Sequence, residues 1–141
     1  MTVILDTNII LDALQERSPF DIEAKEILKR AQSEEEISCL FTANAATDIF
    51  YLYSKAHNVE IAKAALAFLL NTFGVASVTQ KDCIDALSFP IDDFEDALLI
   101  ICAQKAGADY IVTRDEKLLV VDSTIELISP KGFIRLITEK K

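Results

Sequence analysis

Four aspartates of this 141-residue chain stand at the ends of apolar segments or inside them. Asp6 ends the apolar run 3–5, and Asp115 follows the segment "DYIVTR". Asp48 and Asp96 lie in apolar helical patterns, with no Lys or Arg three or four residues away. Burying one unpaired carboxylate costs several kcal/mol, which is comparable to the whole stability of a domain. Any one of them could instead point to solvent or meet a distant Arg, but the set of four suggests a shared site.

The chemistry open to such a set is the binding of a divalent ion. Two carboxylates about 4 Å apart repel each other by about 4 kcal/mol at an effective dielectric near 20. They stay ionised together when a cation lies between them. Oxygen ligands without His or Cys favour Mg²⁺ or Mn²⁺, ions that polarise a phosphoryl oxygen and activate water near neutral pH. A metal partner would explain why a buried strand ends on Asp6.

The elements that must position these aspartates alternate between strands and helices. Apolar runs predict strands at 2–6, 36–42, 75–79, 109–113 and 125–129. Helical spacing predicts helices at 8–16, 20–32, 42–56, 58–71, 80–88 and 91–107, with a last one opening at Pro130. This order predicts an α/β fold, with a mainly parallel sheet covered by helices on both faces. Ligands bind such sheets at the carboxyl ends of the strands, where Asp6 and Asp115 fall.

Most other acidic residues have a simpler explanation. The run 34–36 is typical of a solvated turn, and Glu23, Glu26 and Glu60 share helix faces with Lys. Asp92 is predicted to cap the helix 91–107, and Glu95 three residues later would complete a capping box. Asp96 is not used by that box.

Composition and charge set the remaining limits. The length fits one domain over residues 1–141. The longest apolar run, 97–103, is far shorter than the roughly 20 residues that cross a bilayer, and the N-terminus shows no secretory signal. Three scattered cysteines in apolar surroundings indicate a reducing cytoplasm rather than a disulfide framework. A net charge of −9 argues against binding nucleic acid through a basic stripe, so such chemistry would need a metal or a few placed cations.

Four segments together resemble the PIN-domain family, and its bacterial and archaeal VapC-like members most of all. They are "VILDTNIILD", "TDIFYL", "DFEDALLIICAQKAGADYIVTRD" and "ISPKGFI", in the family's order over nearly the whole chain. The resemblance implies a Rossmann-like three-layer sandwich and a metal-dependent ribonuclease. Many prokaryotic members are toxins of type II toxin–antitoxin pairs, and they are often dimers.

The resemblance also implies roles for particular residues. The four acids of the family's site correspond to Asp6, Asp48, Asp96 and Asp115, with Asp93 as a possible auxiliary ligand. Asn8 matches the polar neighbour of the first acid, and Thr113 the hydroxyl at the strand end. Two departures stand out: Asp48 replaces the commoner Glu, and Leu118 and Leu119 occupy positions where an acid and a Phe often follow.

These roles combine into one hypothesis, the hydrolysis of single-stranded or looped RNA with Mg²⁺ or Mn²⁺. Asp6 and Asp96 would hold the main ion, and Asp115 would complete its sphere directly or through water. Asp48 would orient the attacking water or support a second ion. The remaining candidates would contact water or phosphate: Asn8, Thr113, Arg114, Arg17 and Lys55.

Partners follow from the same resemblance. An antitoxin would block the acidic cleft, for example by inserting an Arg side chain into it. The apolar segment 59–70 is explained by core burial, but a face left exposed would form a homodimer interface.

Two other enzyme classes fit the sequence poorly. A haloacid-dehalogenase-type phosphatase needs a second Asp where Asn8 stands, and a response-regulator receiver needs an Asp where Thr79 and Gln80 follow the strand 75–79. A stronger alternative is a PIN fold that binds RNA or protein with little or no catalysis. The acidic charge and the missing acid at Leu118 favour it.

Overall fold

The computed structural model describes residues 1–139, so the last two residues of the predicted domain lie outside it. Its sheet has five strands, in the spatial order β3-β2-β1-β4-β5, and every described pairing is parallel. The parallel sheet predicted from the sequence is therefore confirmed. The strands are β1 (Thr2–Leu5), β2 (Ser38–Thr42), β3 (Gly74–Ala76), β4 (Tyr110–Val112) and β5 (Glu126–Ile128).

The helices follow the predicted order, with one addition. They are α1 (Thr7–Leu14), α2 (Asp21–Ser33), α3 (Ala43–Ala56), α4 (Val59–Thr72), α5 (Gln80–Ser88), α6 (Phe94–Ala106), α7 (Glu116–Leu119) and α8 (Pro130–Glu139). The added helix is α7, whose single turn is too short for a hydrophobic period to reveal. No helix among residues 1–139 is long and apolar enough to cross a membrane.

The sheet carries a hydrophobic core on each face, because successive strand residues point to opposite sides. Val3 and Leu5 belong to the core that α1, α2, α3, α4 and α8 cover. Ile4, between them, belongs to the opposite core, under α5 and α6. The three layers expected of a PIN-like fold are thus present.

The direction of winding changes at β1. From there the chain runs outward through β2 to β3, then returns to place β4 on the other side of β1. Connections leave β1 and β4 in opposite directions, which opens a crevice at their carboxyl ends. Asp6 follows β1 and Thr113 follows β4, so the topology places both residues at this crevice.

Candidate active site

Asp6 is fixed at the crevice by bonds to β4 and to its own helix. Its backbone N–H donates to the Val112 carbonyl at 2.9 Å. Its carboxylate oxygen Oδ2 accepts from the Thr113 hydroxyl at 2.7 Å and from the Asn8 amide at 3.3 Å. Thr113 is fully buried, and its hydroxyl also accepts from the backbone N–H of Asp115 at 3.1 Å. One hydroxyl thus links two of the predicted acids.

Asp96 reaches the same crevice from the first turn of α6. The helix begins at Phe94, capped by Asp93, whose Oδ1 accepts from the Asp96 backbone N–H at 3.0 Å. The predicted capping box of Asp92 with Glu95 is therefore wrong. Because the helix starts three residues later than predicted, Asp96 takes the third helical position, and Glu95 does not complete a capping box.

Asp6 and Asp96 line one small cavity. Its volume is about 10 Å³, room for a single water-sized body. The β1 and β2 ends, α3 and α6 all contribute to the wall, which consists of Asp6, Thr7, Thr42, Asn44, Glu95, Asp96 and Leu99. The structure thus brings the two predicted main ligands to one cavity at the sheet edge.

Burial and mutual repulsion disfavour the ionised form of these acids. Burial raises the pKa of Asp6 and the charge of Asp115 adds to the effect, while the hydrogen bond from Thr113 opposes it. Burial, followed by the charges of Asp93 and Asp6, raises the pKa of Asp96 to about 6. Burial and then Asp48 raise the pKa of Glu95. A cation in the crevice would relieve all three groups.

The donor atoms suit a hard divalent ion. Carboxylate, hydroxyl and amide oxygens surround the cavity, and these are the ligands that Mg²⁺ and Mn²⁺ prefer. Two buried side-chain oxygens, Asn8 Oδ1 and Asn44 Oδ1, have no hydrogen-bond partner within residues 1–139. Within residues 1–139, no three Asp, Glu, Cys or His side chains already converge as a finished ligand set.

Two of the four predicted acids lie outside the cavity wall. Asp115 caps α7, its Oδ1 accepting from the Lys117 backbone N–H at 3.0 Å, while its charge acts on Asp6. Asp48 does not line the cavity, but its charge raises the pKa of Glu95, which does. Leu118, where an acid was missing, is buried in the core under α5 and α6, so that position serves packing here.

The predicted phosphate contacts are engaged elsewhere. Arg114 binds the buried Asp12 through two nitrogens, at 2.5 and 3.1 Å, and its guanidinium lies 4.0 Å from the centre of the Phe20 ring. Arg17 donates to Gln15 at 2.9 Å, and Lys55 donates to the Tyr51 hydroxyl at 3.1 Å. None of the three cations lines the cavity.

Five wall residues were not predicted from the sequence: Glu95, Asn44, Thr7, Thr42 and Leu99. Glu95 has only apolar or acidic residues three and four positions away, which is the same signal that identified Asp96. Because Glu95 was assigned to the incorrect capping box with Asp92, it was not predicted as a ligand. Asn44 precedes Asp48 by one helical turn, and no local pattern distinguishes it from an exposed Asn.

Comparisons with known proteins identify the family and the fold of this chain. A family model described as PIN domain matches residues 2–117. No curated protein sequence matches the chain.

Several solved structures share the fold. VapBC2 from Rickettsia felis, bound to a promoter DNA fragment, is 17% identical with a TM-score of 0.69, covering 92% of this chain and 98% of the matched one. VapBC-1 from nontypeable Haemophilus influenzae has the same identity and TM-score, covering 93% and 99%. VapC20 from Mycobacterium tuberculosis, described as a sarcin-ricin loop cleaving toxin, is 17% identical with a TM-score of 0.67, covering 82% and 92%. At these identities the similarity establishes the fold.

Proposed function

We propose that this chain, which belongs to the PIN-domain family, is a metal-dependent ribonuclease and the toxin of a toxin–antitoxin pair. The observation that carries the proposal is the meeting of Asp6 and Asp96 at one cavity, at the point where the sheet topology opens a crevice. The VapC20 toxin, of similar fold, is described as cleaving the sarcin-ricin loop, which supports RNA as the substrate class.

In this proposal each residue at the crevice has a defined task. Asp6 and Asp96 hold a Mg²⁺ or Mn²⁺ ion, and Asp115 supports it directly or through water. The ion, when bound, polarises a phosphoryl oxygen and lowers the pKa of water. Thr113 and Asn8 keep the Asp6 carboxylate oriented by donating hydrogen bonds to its Oδ2. Hydrogen bonds of this kind hold a ligand in position before the ion arrives.

The partner in the proposed pair is an antitoxin with a basic segment. The chain carries a net charge of −9, and its cavity wall includes three carboxylates, those of Asp6, Glu95 and Asp96. A cationic side chain could neutralise them in place of the ion. The VapBC structures and a toxin–antitoxin complex from Klebsiella pneumoniae, at 19% identity and a TM-score of 0.67, have the same fold and support this assembly.

The proposed assembly also includes a second copy of the chain. The α3–α4 hairpin exposes large apolar side chains, which a homodimer would cover. They are Tyr51, Leu52, Val59, Ile61, Phe68 and Leu70.

The test is cleavage of a single-stranded RNA by Asp6→Asn and Asp96→Asn proteins in Mn²⁺. Each substitution removes one negative charge from the cavity with little change in volume, so cleavage should fall by at least about a hundredfold, as is common when a group that stabilises the transition state is lost. Asp92→Asn is the matched control, because that exposed acid lies beside the same helix start without lining the cavity. Circular dichroism would verify that each variant is folded.

Two results would contradict the proposal. Undiminished cleavage by both cavity variants would refute the assignment of the site. A wild-type protein that binds RNA but neither cleaves it nor binds Mn²⁺ would favour the alternative of a PIN-fold binding module.

A further inference from the structure

We infer that Glu95 is a ligand of the ion in this chain, and that Asp48 positions Glu95 instead of contacting the ion itself. The inference deepens the proposed function and rests on it. It assigns to α6 a carboxylate that the resemblance places on α3, and it adds the amide oxygen of Asn44 to the same wall.

The cavity wall is the first observation. Glu95 lines it together with Asp6 and Asp96, whereas Asp48 does not. Because Asp93 caps α6 through the Asp96 backbone N–H, the first turn is fixed, with Glu95 directly before Asp96 in it. Two adjacent carboxylates from one helix turn therefore face the end of β1.

Side-chain length explains the exchange of roles. Asp48 is one methylene shorter than the Glu that is common at its position. The Asp48 side chain is close enough to interact with that of Glu95, but it does not line the wall. Glu95 carries the additional methylene and comes from the opposite helix. The carboxylate that is too short to reach the cavity from α3 is thus replaced by one from α6.

Asn44 is an independent observation that points to a cation at this wall. Its Oδ1 is buried and has no donor among the described residues, although the residue lines the cavity. A buried carbonyl oxygen without a donor is costly, and buried polar atoms normally have a partner. A divalent ion or a water bound to it would provide that partner, since amide oxygens are accepted ligands of hard cations.

Calorimetric titration of the full chain with Mn²⁺, without RNA, tests the assignment independently of activity. Glu95→Gln keeps the length and removes the charge, so the dissociation constant should rise by at least about tenfold. Asp92→Asn should bind Mn²⁺ like the wild type, because it removes one charge near the same helix start outside the wall. Thermal unfolding followed by circular dichroism would verify that both variants are folded.

A double variant that exchanges the side-chain lengths at positions 48 and 95 provides the second test. If Glu95 replaces the missing methylene of Asp48, the double variant Asp48→Glu/Glu95→Gln returns a long carboxylate to α3. Its Mn²⁺ affinity should recover most of what Glu95→Gln loses. A double variant that binds as weakly as Glu95→Gln would overturn the exchange.

The remaining outcomes separate this inference from the proposed function. Loss of Mn²⁺ binding in Asp6→Asn, with wild-type binding in Glu95→Gln, would overturn the role of Glu95 and leave the ribonuclease proposal standing. A wild-type protein that binds no Mn²⁺ would overturn both.

Discussion

At the residue scale, the Asp6 carboxylate is held in an environment that opposes its charge. Burial and the Asp115 carboxylate raise its pKa, and the hydrogen bond from Thr113 only partly compensates. The residue is therefore retained at a cost in stability, which is a common property of functional acids. Asp96 shares this condition and shows it more strongly.

Asp96→Asn should stabilise the metal-free protein above pH 6. The folded pKa of about 6 lies above the ordinary value of 3.8, so the folded state binds the proton more tightly than the unfolded state does. The stability of the wild type should therefore fall as the pH rises from 3.8 to about 6, and then level off. Thermal unfolding in a chelator, from pH 4 to pH 8, measures this as a higher melting temperature of the variant at the upper end.

The gain should vanish near pH 4, where Asp96 is protonated in the folded protein. Asp92→Asn is the control and should show no such pH-dependent gain, because its side chain is exposed. Parallel stability curves for wild type and Asp96→Asn across this range would contradict a raised pKa of Asp96 in the folded protein.

At the element scale, one ion pair ties α1 to the segment after β4. Asp12, only 1% exposed, accepts two hydrogen bonds from Arg114, the residue between Thr113 and Asp115. The guanidinium also lies 4.0 Å from the centre of the Phe20 ring. The pair therefore fixes the backbone that carries two site residues, which is a different role from the phosphate contact predicted for Arg114.

Asp12→Ala should lower the free energy of unfolding by about 2 kcal/mol, the typical loss for hydrogen bonds to a charged group. The loss is moderate because the Arg114 side chain is 30% exposed and its charge can return to water. Urea unfolding of the metal-free protein measures it. Glu16→Gln removes an acid from an exposed pair with Lys25 and should leave the midpoint nearly unchanged. Equal midpoints for the two variants would exclude a bracing role for Asp12.

At the scale of the whole molecule, charge and apolar surface are distributed unevenly. The chain is strongly acidic, yet the α3–α4 hairpin exposes several large apolar side chains. Phe68 and Leu70 are each nearly half exposed although they lie in a 14-residue helix with an apolar sequence. A surface of this kind is typical of an interaction site and supports the proposed homodimer.

Phe68→Ser should convert a dimer into a monomer if the hairpin forms the subunit interface. Removing an aromatic ring from the centre of an interface commonly costs at least about 2 kcal/mol of binding energy. Sedimentation velocity at micromolar concentration measures the shift in mass. Leu87→Ser, on α5, is the matched control, because Leu87 is 76% exposed outside the hairpin. A wild type that sediments as a monomer, or a variant that remains dimeric, would contradict this interface.

Local patterns in the sequence were sufficient for the order of every element except α7 and for the strand-end position of Asp6. Parallel pairing followed from apolar runs that alternate with helices, and the end of α6 followed from Gly107, whose φ of 67° suits glycine. A single domain over the whole chain stays a prediction. Each element depends on neighbours close in sequence, and the alternation of strands with helices favours parallel pairing, which is why the sequence alone could determine these features.

Only the tertiary structure decided which side chains share the cavity. The sequence analysis predicted Asp48 as a site residue and assigned Glu95 to a cap, whereas Glu95 lines the cavity and Asp48 does not. The same holds for Arg114, whose partner Asp12 is 102 residues away. The physical reason is that the direction of a side chain depends on cap geometry and on contacts distant in sequence, which no local pattern encodes.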